Sequence, residues 1–447
     1  MDRSALAVIF SLSLAAAGMF GAAASSGADA APKPALMAGA ARVDITPDLS
    51  RFKNIGLGGY GERFGKFAEG AHDSLYARAL VLASPSAKTV IVSLDALMVA
   101  PGLKDAVMAR VQDPGLQPGQ VIICATHSHN APENLHPGGD IFPQAFGRFN
   151  KDFFEWNADQ IASAIRQAIM SARPARIATA SAELEGLNRN RRGDEALDRE
   201  MTVLSVTEDT PEAKPIAALV NFTAHPTMVD PAILLFSGEW PGEMSRTMEK
   251  ALGAGSVVLF LNGAQGDQTH SGAQGKDFER VQDYGQRIAK EALNLANKAP
   301  QPIANPRIAV SADDLKLPPY AIAPGFAETT GAEYKIDEKV ILAAASRMFP
   351  SQAPIAAIRA GDLVMLPVPG EMTAELALAL KKRLREMGAP HPIIVGLANS
   401  YIGYIPSPRQ YKAGGYEVHT SFYGENIGTV ICDALASQAG KVIGKQD

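Results

Sequence analysis

Three of the eight histidines follow directly after short apolar segments that predict buried strands. His127 and His129 come after residues 121–124, and His225 comes after residues 216–222. Loops beyond the carboxyl ends of strands are where open α/β sheets bind ligands, and residues two apart in an extended chain point the same way. His127 and His129 can therefore face one cavity, and the two loops together predict a shared metal centre. The alternative is that each histidine is a hydrogen-bonded structural residue.

Imidazole ligands suit zinc, whose shell is completed by a carboxylate or phenol oxygen and by one water. Glu371 lies between a predicted strand and a predicted helix, where it is either a metal ligand or a residue favoured by the helix dipole. A glycine-rich segment, residues 262–270, carries Asp267, Thr269 and His270, and its glycines let the backbone approach a bound group closely. This segment matches neither the Walker nor the dinucleotide-binding fingerprint, so it gives no support to nucleotide binding.

Apolar, β-branched segments alternate along the chain with segments of helical period. The predicted strands are residues 89–94, 121–124, 216–222, 257–261, 363–368 and 393–397, and the predicted helices are residues 152–171, 278–296 and 372–387. This alternation predicts an α/β fold in which helices cover a sheet. Residues 355–368 predict a hairpin that turns at Ala360-Gly361-Asp362, so the sheet is expected to be mixed. No repeat, linker or change of composition divides residues 31–447, which predicts a single large catalytic domain.

The overall composition excludes several classes of protein. The chain has 447 residues, of which 47% are hydrophobic and 20% charged, and this mixture is that of a globular protein. A net charge of -5 without a basic cluster argues against nucleic acid as a partner. Two cysteines, Cys124 and Cys432, cannot build a disulfide framework or a thiolate metal site. Cys124 lies in a predicted core strand, so we expect a buried thiol there.

Residues 1–30 predict a signal peptide. Arg3 precedes an apolar run over residues 5–24, and Ala28-Asp29-Ala30 forms a small-x-small cleavage pattern. The alternative is a retained anchor, because about 20 apolar residues can span a bilayer. Much of the run is Ala and Gly, however, and the cleavage pattern follows directly. We therefore expect an exported protein, periplasmic or secreted after cleavage, with at most peripheral membrane contact.

An ordered set of motifs runs from residue 41 to residue 424. Its members are Arg42-Val-Asp-Ile-Thr-Pro47, His72-Asp-Ser-Leu-Tyr-Ala-Arg-Ala-Leu80, Ala125-Thr-His-Ser-His129, Asn188-Arg189, Ala224-His-Pro-Thr227, Ser237-Gly-Glu-Trp-Pro-Gly242, Gly266-Asp267, Pro369-Gly-Glu371 and Asn399-Ser-Tyr-Ile-Gly-Tyr404. No single motif is decisive, but the ordered set resembles the catalytic N-terminal domain of the neutral/alkaline (non-lysosomal) ceramidase family. Members of this family are zinc-dependent amidases that split ceramide into sphingosine and a fatty acid.

The resemblance implies a role for particular residues. It implies that His127, His225 and Glu371 bind one zinc ion per chain, with Tyr404 as the remaining protein ligand or near-ligand. It further implies that His129 stabilises the reacting carbonyl or moves protons. Arg189 corresponds to a cationic group near the developing oxyanion, and Tyr416 is a candidate for a second phenol at the site. Whether the chain also binds a structural Ca²⁺ or Mg²⁺ ion stays open.

The chain departs from the family in two respects. The ceramidases carry a serine, proposed as the nucleophile, two residues after the Asp of Gly-Asp-x-Ser, and this position is Thr269 here. A threonine hydroxyl could serve, but its β-branching stiffens the side chain and crowds attack. Ceramidases also continue into a C-terminal immunoglobulin-like domain, and because Asp447 follows soon after the last motif we expect this domain to be missing here. Both departures bear on which substrate is cleaved more than on whether a metal is bound.

The resulting hypothesis is a zinc amidohydrolase that acts on a ceramide-like N-acyl lipid. Zinc lowers the pKa of bound water from about 15.7 to about 7, which supplies a nucleophile without a serine. His129 and Arg189 would stabilise the oxyanion, and His129 or Tyr404 would protonate the leaving amine. Two alternatives stay open: a zinc esterase or lactonase for another acyl substrate, and a non-catalytic envelope binding protein.

Overall fold

The computed structural model describes residues 36–444, apart from the side chains of residues 144 and 145. The predicted signal peptide, residues 1–30, lies outside the described residues. The strands are β1 (Met37–Asp44), β2 (Gly70–Ala71), β3 (Tyr76–Ala83), β4 (Lys88–Leu94), β5 (Val121–Ala125), β6 (Arg173–Glu183), β7 (Asn188–Asn190), β8 (Glu200–Glu208), β9 (Pro215–Phe222), β10 (Leu235–Phe236), β11 (Val257–Asn262), β12 (Gln268–His270), β13 (Ile308–Lys316), β14 (Gln352–Ala360), β15 (Leu363–Pro367), β16 (Glu371–Met372), β17 (His391–Val395) and β18 (Tyr404–Ile405). The helices are α1 (Leu103–Val111), α2 (Pro143–Phe146), α3 (Lys151–Met170), α4 (Glu239–Leu252), α5 (Asp277–Ala296), α6 (Thr330–Tyr334), α7 (Glu338–Met348), α8 (Ala374–Glu386), α9 (Pro408–Ala413), α10 (Tyr416–His419) and α11 (Ile427–Ile443), with 3-10 turns at Gly61–Arg63, Pro118–Gln120 and Pro137–Asp140.

Two mixed sheets form the centre of the fold. The larger has eight strands in the order β11-β9-β8-β6-β1-β3-β4-β5, and the smaller has four in the order β13-β14-β15-β17. In the larger sheet the edge pairs β11–β9 and β4–β5 are parallel, while the pairs between them are antiparallel. The smaller sheet combines two antiparallel pairs with the parallel pair β15–β17.

The alternation of side chains along the strands decides which layer each residue joins. In β3, Leu80 and Leu82 pack into the core between the two sheets, together with Ile358 and Met365 of the smaller sheet. Their neighbour Val81 points to the opposite face, where the core is completed by helices. Successive side chains of a strand point to opposite faces, so a strand buried on both sides reads as one continuous apolar run.

Helices cover the outer face of each sheet. Helices α1 and α3 pack on one half of the larger sheet, and α4 and α5 pack on the other half. Helices α7, α8 and α11 pack on the outer face of the smaller sheet. The helices present apolar stripes to these faces because their apolar residues recur at helical spacing. The layers are therefore helix, sheet, sheet and helix, and they enclose a single domain.

The predicted mixed α/β fold with helices over its sheet is confirmed. The predicted strands and helices are all present, with ends that differ by a few residues, as in α3 and α5. The hairpin is also present, since β14 and β15 pair antiparallel around Gly361, whose φ is +61°. The second sheet was not predicted. It covers the inner face of the larger sheet, where the sequence had predicted helices.

The larger sheet bends between its two halves. Strands β1 and β6 pair only through Met37–Pro174 and Ala38–Arg173. The bend brings β11 against β4, and the Ser93 hydroxyl donates a hydrogen bond of 2.6 Å to the Phe260 carbonyl. The loops that follow β5 and β9 consequently approach each other, although their strands are far apart in the order of the sheet.

The cysteines are free, and Cys124 is buried as expected, with its thiol pKa raised by burial. Within residues 36–444, no helix has both the length and the apolar content needed to cross a membrane.

Close packing of α3 on β1 depends on Gly39. A Cβ atom at this position would lie 2.2 Å from the Ala168 carbonyl oxygen, which is backbone and cannot rotate away. We expect Gly39→Ala to reduce the free energy of unfolding by about 1–3 kcal/mol through overpacking, measured by denaturant titration. Gly70→Ala is the matched control, because its nearest neighbour would lie at an ordinary 3.6 Å. Equal stability of the two variants would contradict this account of the packing.

Candidate active site

The histidine-bearing loops meet where the larger sheet bends. His127 and His129 follow β5, and His225 follows β9. The ligand nitrogens of the three histidines lie within 4.8 Å of one another, and all three residues are buried. The sequence-based expectation of one shared site for the two loops matches this geometry.

One buried amide connects the two loops directly. Asn262, at the end of β11, donates from Nδ2 to the Thr126 carbonyl and to the Ala224 carbonyl, each at 3.2 Å. Thr126 and Ala224 are the residues immediately before His127 and His225. Asn262 is fully buried, so no water competes for these bonds. The positions of the two histidine backbones are thus fixed by one side chain.

The loop after β5 holds His127 in an unusual backbone conformation. Its φ is +72°, a left-handed conformation that is uncommon for residues other than glycine. A hydrogen bond of 2.9 Å from the His127 N–H to the Ala96 carbonyl holds this turn. Strain of this kind persists only where the surrounding structure enforces it, and it is concentrated at functional sites.

Glu371 completes the cluster from a separate part of the chain. It lies in β16, which pairs with β18 so that Glu371 is opposite Tyr404. Its Oε2 atom is 3.4 Å from His127 Nε2 and 3.2 Å from His225 Nε2. Burial alone would raise the pKa of Glu371, but positive charge beside the carboxylate, at the positions of His127 and His225, lowers the pKa well below its ordinary value. The carboxylate is therefore ionised when a positive charge lies next to it.

Backbone carbonyls fix the tautomer of both histidines that face Glu371. His127 Nδ1 lies 2.7 Å from the Leu97 carbonyl, and His225 Nδ1 lies 3.0 Å from the Gln268 carbonyl. A carbonyl only accepts, so each Nδ1 carries the proton and each Nε2 is left with a lone pair. Burial, followed by the Arg191 cation, lowers the pKa of His225 to about 4, which keeps this imidazole neutral.

This donor set fits a bound cation. Glu371 Oε2 is buried and has no hydrogen-bond partner among the described residues, yet it faces two nitrogen lone pairs. Glu371 Oε2 lies 3.4 Å from one of these nitrogens and 3.2 Å from the other, and acceptor atoms this close repel unless a positive charge lies between them. Two imidazoles and one carboxylate form a common zinc ligand set. His127, His225 and Glu371 are consequently the residues that would hold the metal.

Two tyrosines of the Tyr-Ile-Gly-Tyr motif approach the cluster. The Tyr404 hydroxyl lies 3.5 Å from His225 Nε2, in agreement with its expected place beside the metal. The Tyr401 hydroxyl donates to Glu371 Oε1 at 2.9 Å and so orients the carboxylate. Sequence reasoning selected the second tyrosine of the motif and missed the first. The Tyr416 ring packs on the Tyr404 ring with centroids 5.7 Å apart.

His129 lies beside the proposed ligands. Its Nε2 atom is 3.4 Å from His127 Nε2, and its Nδ1 atom is buried without a partner among the described residues. Burial is the main cause that lowers the pKa of His129 well below its ordinary value. A neutral imidazole in this position can exchange a proton with a bound molecule.

Arg191, and not Arg189, is the cation that the structure brings to the cluster. Arg189 is exposed, because it lies in β7 and points away from its inward-facing neighbours Asn188 and Asn190. Arg191 follows the end of this strand and donates from Nη2 to the Tyr404 hydroxyl at 3.0 Å. Nothing in the residue spacing distinguishes the two arginines, since the end of a three-residue strand decides which one turns inward.

Thr269 lies beside His225, with which it pairs through a parallel backbone bridge, and it is 7% exposed. Like His225, it is not among the residues that line the cavity next to His127 and His129. Its neighbour Gln268 contributes through its backbone carbonyl, which holds His225 Nδ1. The structure therefore places this glycine-rich segment behind His225.

Glu239 is a further residue that sequence reasoning did not select. It is fully buried at the start of α4, with Oε1 accepting from the His129 N–H at 3.0 Å and Oε2 from the Met228 N–H at 3.2 Å. Burial raises its pKa to about 8. Its carboxyl joins the loop of His129 to the loop that follows His225. The signal was present, since Glu239 lies within the motif Ser237-Gly-Glu-Trp-Pro-Gly242.

The cluster lies at one end of a cavity that opens to solvent. The polar end contains His127, His129, Glu371, Tyr401, Tyr404 and Tyr416. The remaining wall is predominantly apolar and includes Leu97, Met98, Phe146, Phe326, Ile341, Met348, Phe349 and Phe422. This distribution suits a molecule with a polar reacting group and an apolar body.

We expect Asn262→Asp to weaken metal binding more than its effect on folding explains. A carboxylate of the same shape cannot donate to the Thr126 and Ala224 carbonyls, so the histidine loops lose their connection. Zinc affinity, measured by competition with a chelator, should fall about 10- to 100-fold. Both this variant and its control should lose about 3 kcal/mol of stability.

Asn221→Asp is the matched control. Asn221 is also buried and donates to two carbonyls, those of Leu261 and Ile394, but it does not contact the histidine loops. An equal loss of zinc affinity in the two variants would show that Asn262 acts only on global stability.

Comparison with known proteins places the chain in a family. A family model described as neutral/alkaline non-lysosomal ceramidase, N-terminal, matches residues 36–277. The neutral ceramidase of Pseudomonas aeruginosa is 25% identical over 468 residues, covering 86% of this chain and 69% of that protein. Neutral ceramidase B of Dictyostelium discoideum is 24% identical over 508 residues, with the same two coverages of 86% and 69%.

Solved structures show the same fold. The crystal structure of neutral ceramidase from Pseudomonas aeruginosa aligns with a TM-score of 0.79 at 20% identity, covering 92% of this chain and 75% of that one. A structure described as ceramidase complexed with C2 aligns with a TM-score of 0.80 at 21% identity, covering 91% and 75%. The order of the motifs, the fold and the match to the family model agree, and this chain belongs to the neutral/alkaline non-lysosomal ceramidase family.

Proposed function

We propose that this chain is a zinc-dependent amidase that hydrolyses the amide bond of a ceramide-like N-acyl lipid. The observation that carries the proposal is the buried, unpartnered Glu371 oxygen that faces two imidazole lone pairs at the polar end of an apolar cavity. The names of the relatives, which are neutral ceramidases, support the substrate class. An apolar wall next to a polar reacting end matches the chemistry of a lipid amide.

His127, His225 and Glu371 would hold the metal, with Tyr404 beside it. A zinc ion bound there supplies Lewis acidity, which polarises the amide carbonyl and lowers the pKa of water. The Leu97 and Gln268 carbonyls orient both rings so that each Nε2 is directed towards the metal position.

Tyr404 and Arg191 would stabilise negative charge on the carbonyl oxygen. The Tyr404 hydroxyl accepts a hydrogen bond from Arg191, so its own proton is available for donation to the developing oxyanion. A donor directed at such an oxyanion typically lowers the activation barrier by about 3 kcal/mol. Arg191 itself is anchored by bonds to the Gly266 carbonyl and the Glu417 carboxylate, so it acts through Tyr404.

His129 would carry the proton to the leaving nitrogen. It lines the cavity, lies next to His127 and is neutral because of its burial. Its backbone is fixed by Glu239, which keeps the ring in place. Since Thr269 lies outside the cavity, we propose water and not Thr269 as the nucleophile.

Export remains part of the proposal. Residues 1–30 would be removed as a signal peptide, which leaves residues 31–447 as the mature catalytic domain. Mass spectrometry of the protein secreted from a native-type host would show whether the mature chain begins near residue 31.

Metal content is the direct test of the zinc site. We expect about one zinc ion per purified chain by mass spectrometry, and its loss in His225→Ala together with a fall in ceramide hydrolysis of at least about 100-fold. His72→Ala is the matched control, because His72 is exposed and stacks on Phe278 away from the cluster. Retention of zinc in His225→Ala would contradict the assigned ligand set.

The choice of nucleophile has a separate test. Thr269→Val keeps the shape of the side chain and removes only the hydroxyl, so most of the ceramide hydrolysis should remain. Glu371→Gln, in contrast, should abolish hydrolysis because it removes the charge that faces both imidazoles. If Thr269→Val were inactive while still folded and zinc-loaded, an attack by the threonine would replace the water route.

A further inference from the structure

The apolar wall of the cavity is built largely by one connecting segment. Residues 317–351 join β13 to β14 and contain α6 and α7. This segment lies outside residues 36–277, which the family model matches. Its contributions to the cavity include Phe326, Ile336, Ile341, Met348 and Phe349. The metal-binding end and the apolar wall therefore come from different parts of the chain.

The wall is anchored against both sides of the cavity. Phe349 stacks on Phe422 with ring centroids 4.4 Å apart. On the other side, Tyr334 lies so close to the 3-10 turn Gly61–Arg63 that a Cβ atom on Gly61 would be 3.3 Å from its ring. The same turn begins next to Tyr60, whose ring packs on His129 at 4.8 Å. The segment thus lies directly over the catalytic end.

Helix α7 separates its cavity face from its solvent face sharply. Ile341 and Met348, seven residues apart and so on one face, are 3% and 2% exposed and line the cavity. Val340 and Leu342 flank Ile341 in sequence but are 51% and 41% exposed. Helical geometry places the flanking residues on other faces, so they provide natural controls for Ile341.

The side chains that the segment directs into the cavity carry no formal charge at neutral pH. Burial of a hydrocarbon chain against hydrocarbon and aromatic groups is favourable, but these groups provide no partner for a charged group. The apolar wall adjoins the polar reacting end, so it suits one hydrocarbon chain attached to the reacting amide.

We propose that residues 317–351 bind one hydrocarbon chain of the substrate, and that Ile341 helps to set the chain length. This inference deepens the proposed amidase function and rests on it for the identity of the ligand. The chain can come from the acyl side or from the amine side of the amide. Both have the same chemistry, and the experiment separates them.

The test measures binding of two series of ligands that are not hydrolysed. One series consists of saturated fatty acids of 4 to 16 carbons, and the other of linear alkylamines of the same lengths. Calorimetry on the metal-replete full chain gives Kd for each. In at least one series, Kd should fall about fourfold per methylene group until the wall is filled. The series that shows this dependence identifies the side of the amide.

Ile341→Trp should shorten the accepted chain. The added volume blocks the wall, so Kd of the longest ligands should rise at least about tenfold, while Kd of the shortest should stay unchanged. Val340→Trp and Leu342→Trp, on the exposed faces of α7, should keep the wild-type dependence. Ile341→Ala is a second variant at the same position, and it should move the plateau to longer chains.

The outcomes separate this inference from the proposed function. A dependence on chain length that Ile341→Trp does not alter, or that the two controls alter equally, would overturn the assignment of the segment. Absence of any chain-length dependence in both series would overturn it as well. A chain that binds the series as expected but leaves ceramide intact would refute the amidase function and support the hydrocarbon site.

Discussion

The Asn262 carboxamide is the interaction on which the site depends. Its two N–H groups reach the carbonyls immediately before His127 and His225, and these carbonyls belong to loops more than ninety residues apart in sequence. Asn262 can reach both because the larger sheet bends and carries β11 against β4. A buried amide of this kind must make its hydrogen bonds, since leaving them unmade costs free energy that burial cannot recover. The bend of the sheet and the position of the histidines therefore enforce each other.

A second layer of contacts prepares the side chains themselves. Backbone carbonyls of Leu97 and Gln268 hold the protons of His127 and His225 on Nδ1, and Tyr401 holds one oxygen of Glu371. What remains is a set of lone pairs directed at one another in a buried space. Such a set is unfavourable by itself and favourable around a cation. The fold holds these groups together although the arrangement is unfavourable without a cation, and this is the strongest physical argument for a bound metal ion.

Two different parts of the chain form the polar end and the apolar wall of the cavity. The loop after β5, together with Glu371 and Tyr404, provides the polar end, whereas residues 317–351 provide most of the apolar wall. The reacting groups are fixed by backbone hydrogen bonds and by the sheet, but the wall consists of side chains on a connection between two strands. Changes in this segment should therefore alter the hydrocarbon chain that is bound without moving the reacting groups.

The sequence by itself determined the strands, the helices, the hairpin at Gly361 and the two histidine-bearing loops, because apolar periodicity and turn residues are local properties. Through the resemblance to family motifs it also selected Glu371 and Tyr404, which the structure places beside His225. Only the tertiary structure decided that a second sheet covers the first, that Arg191 and not Arg189 reaches Tyr404, and that Thr269 lies behind His225. Asn262, Glu239 and Tyr401 acquired their roles in the same way. Each of these outcomes depends on which face of a short strand turns inward or on how far a sheet bends, and those are set by contacts between residues distant in sequence.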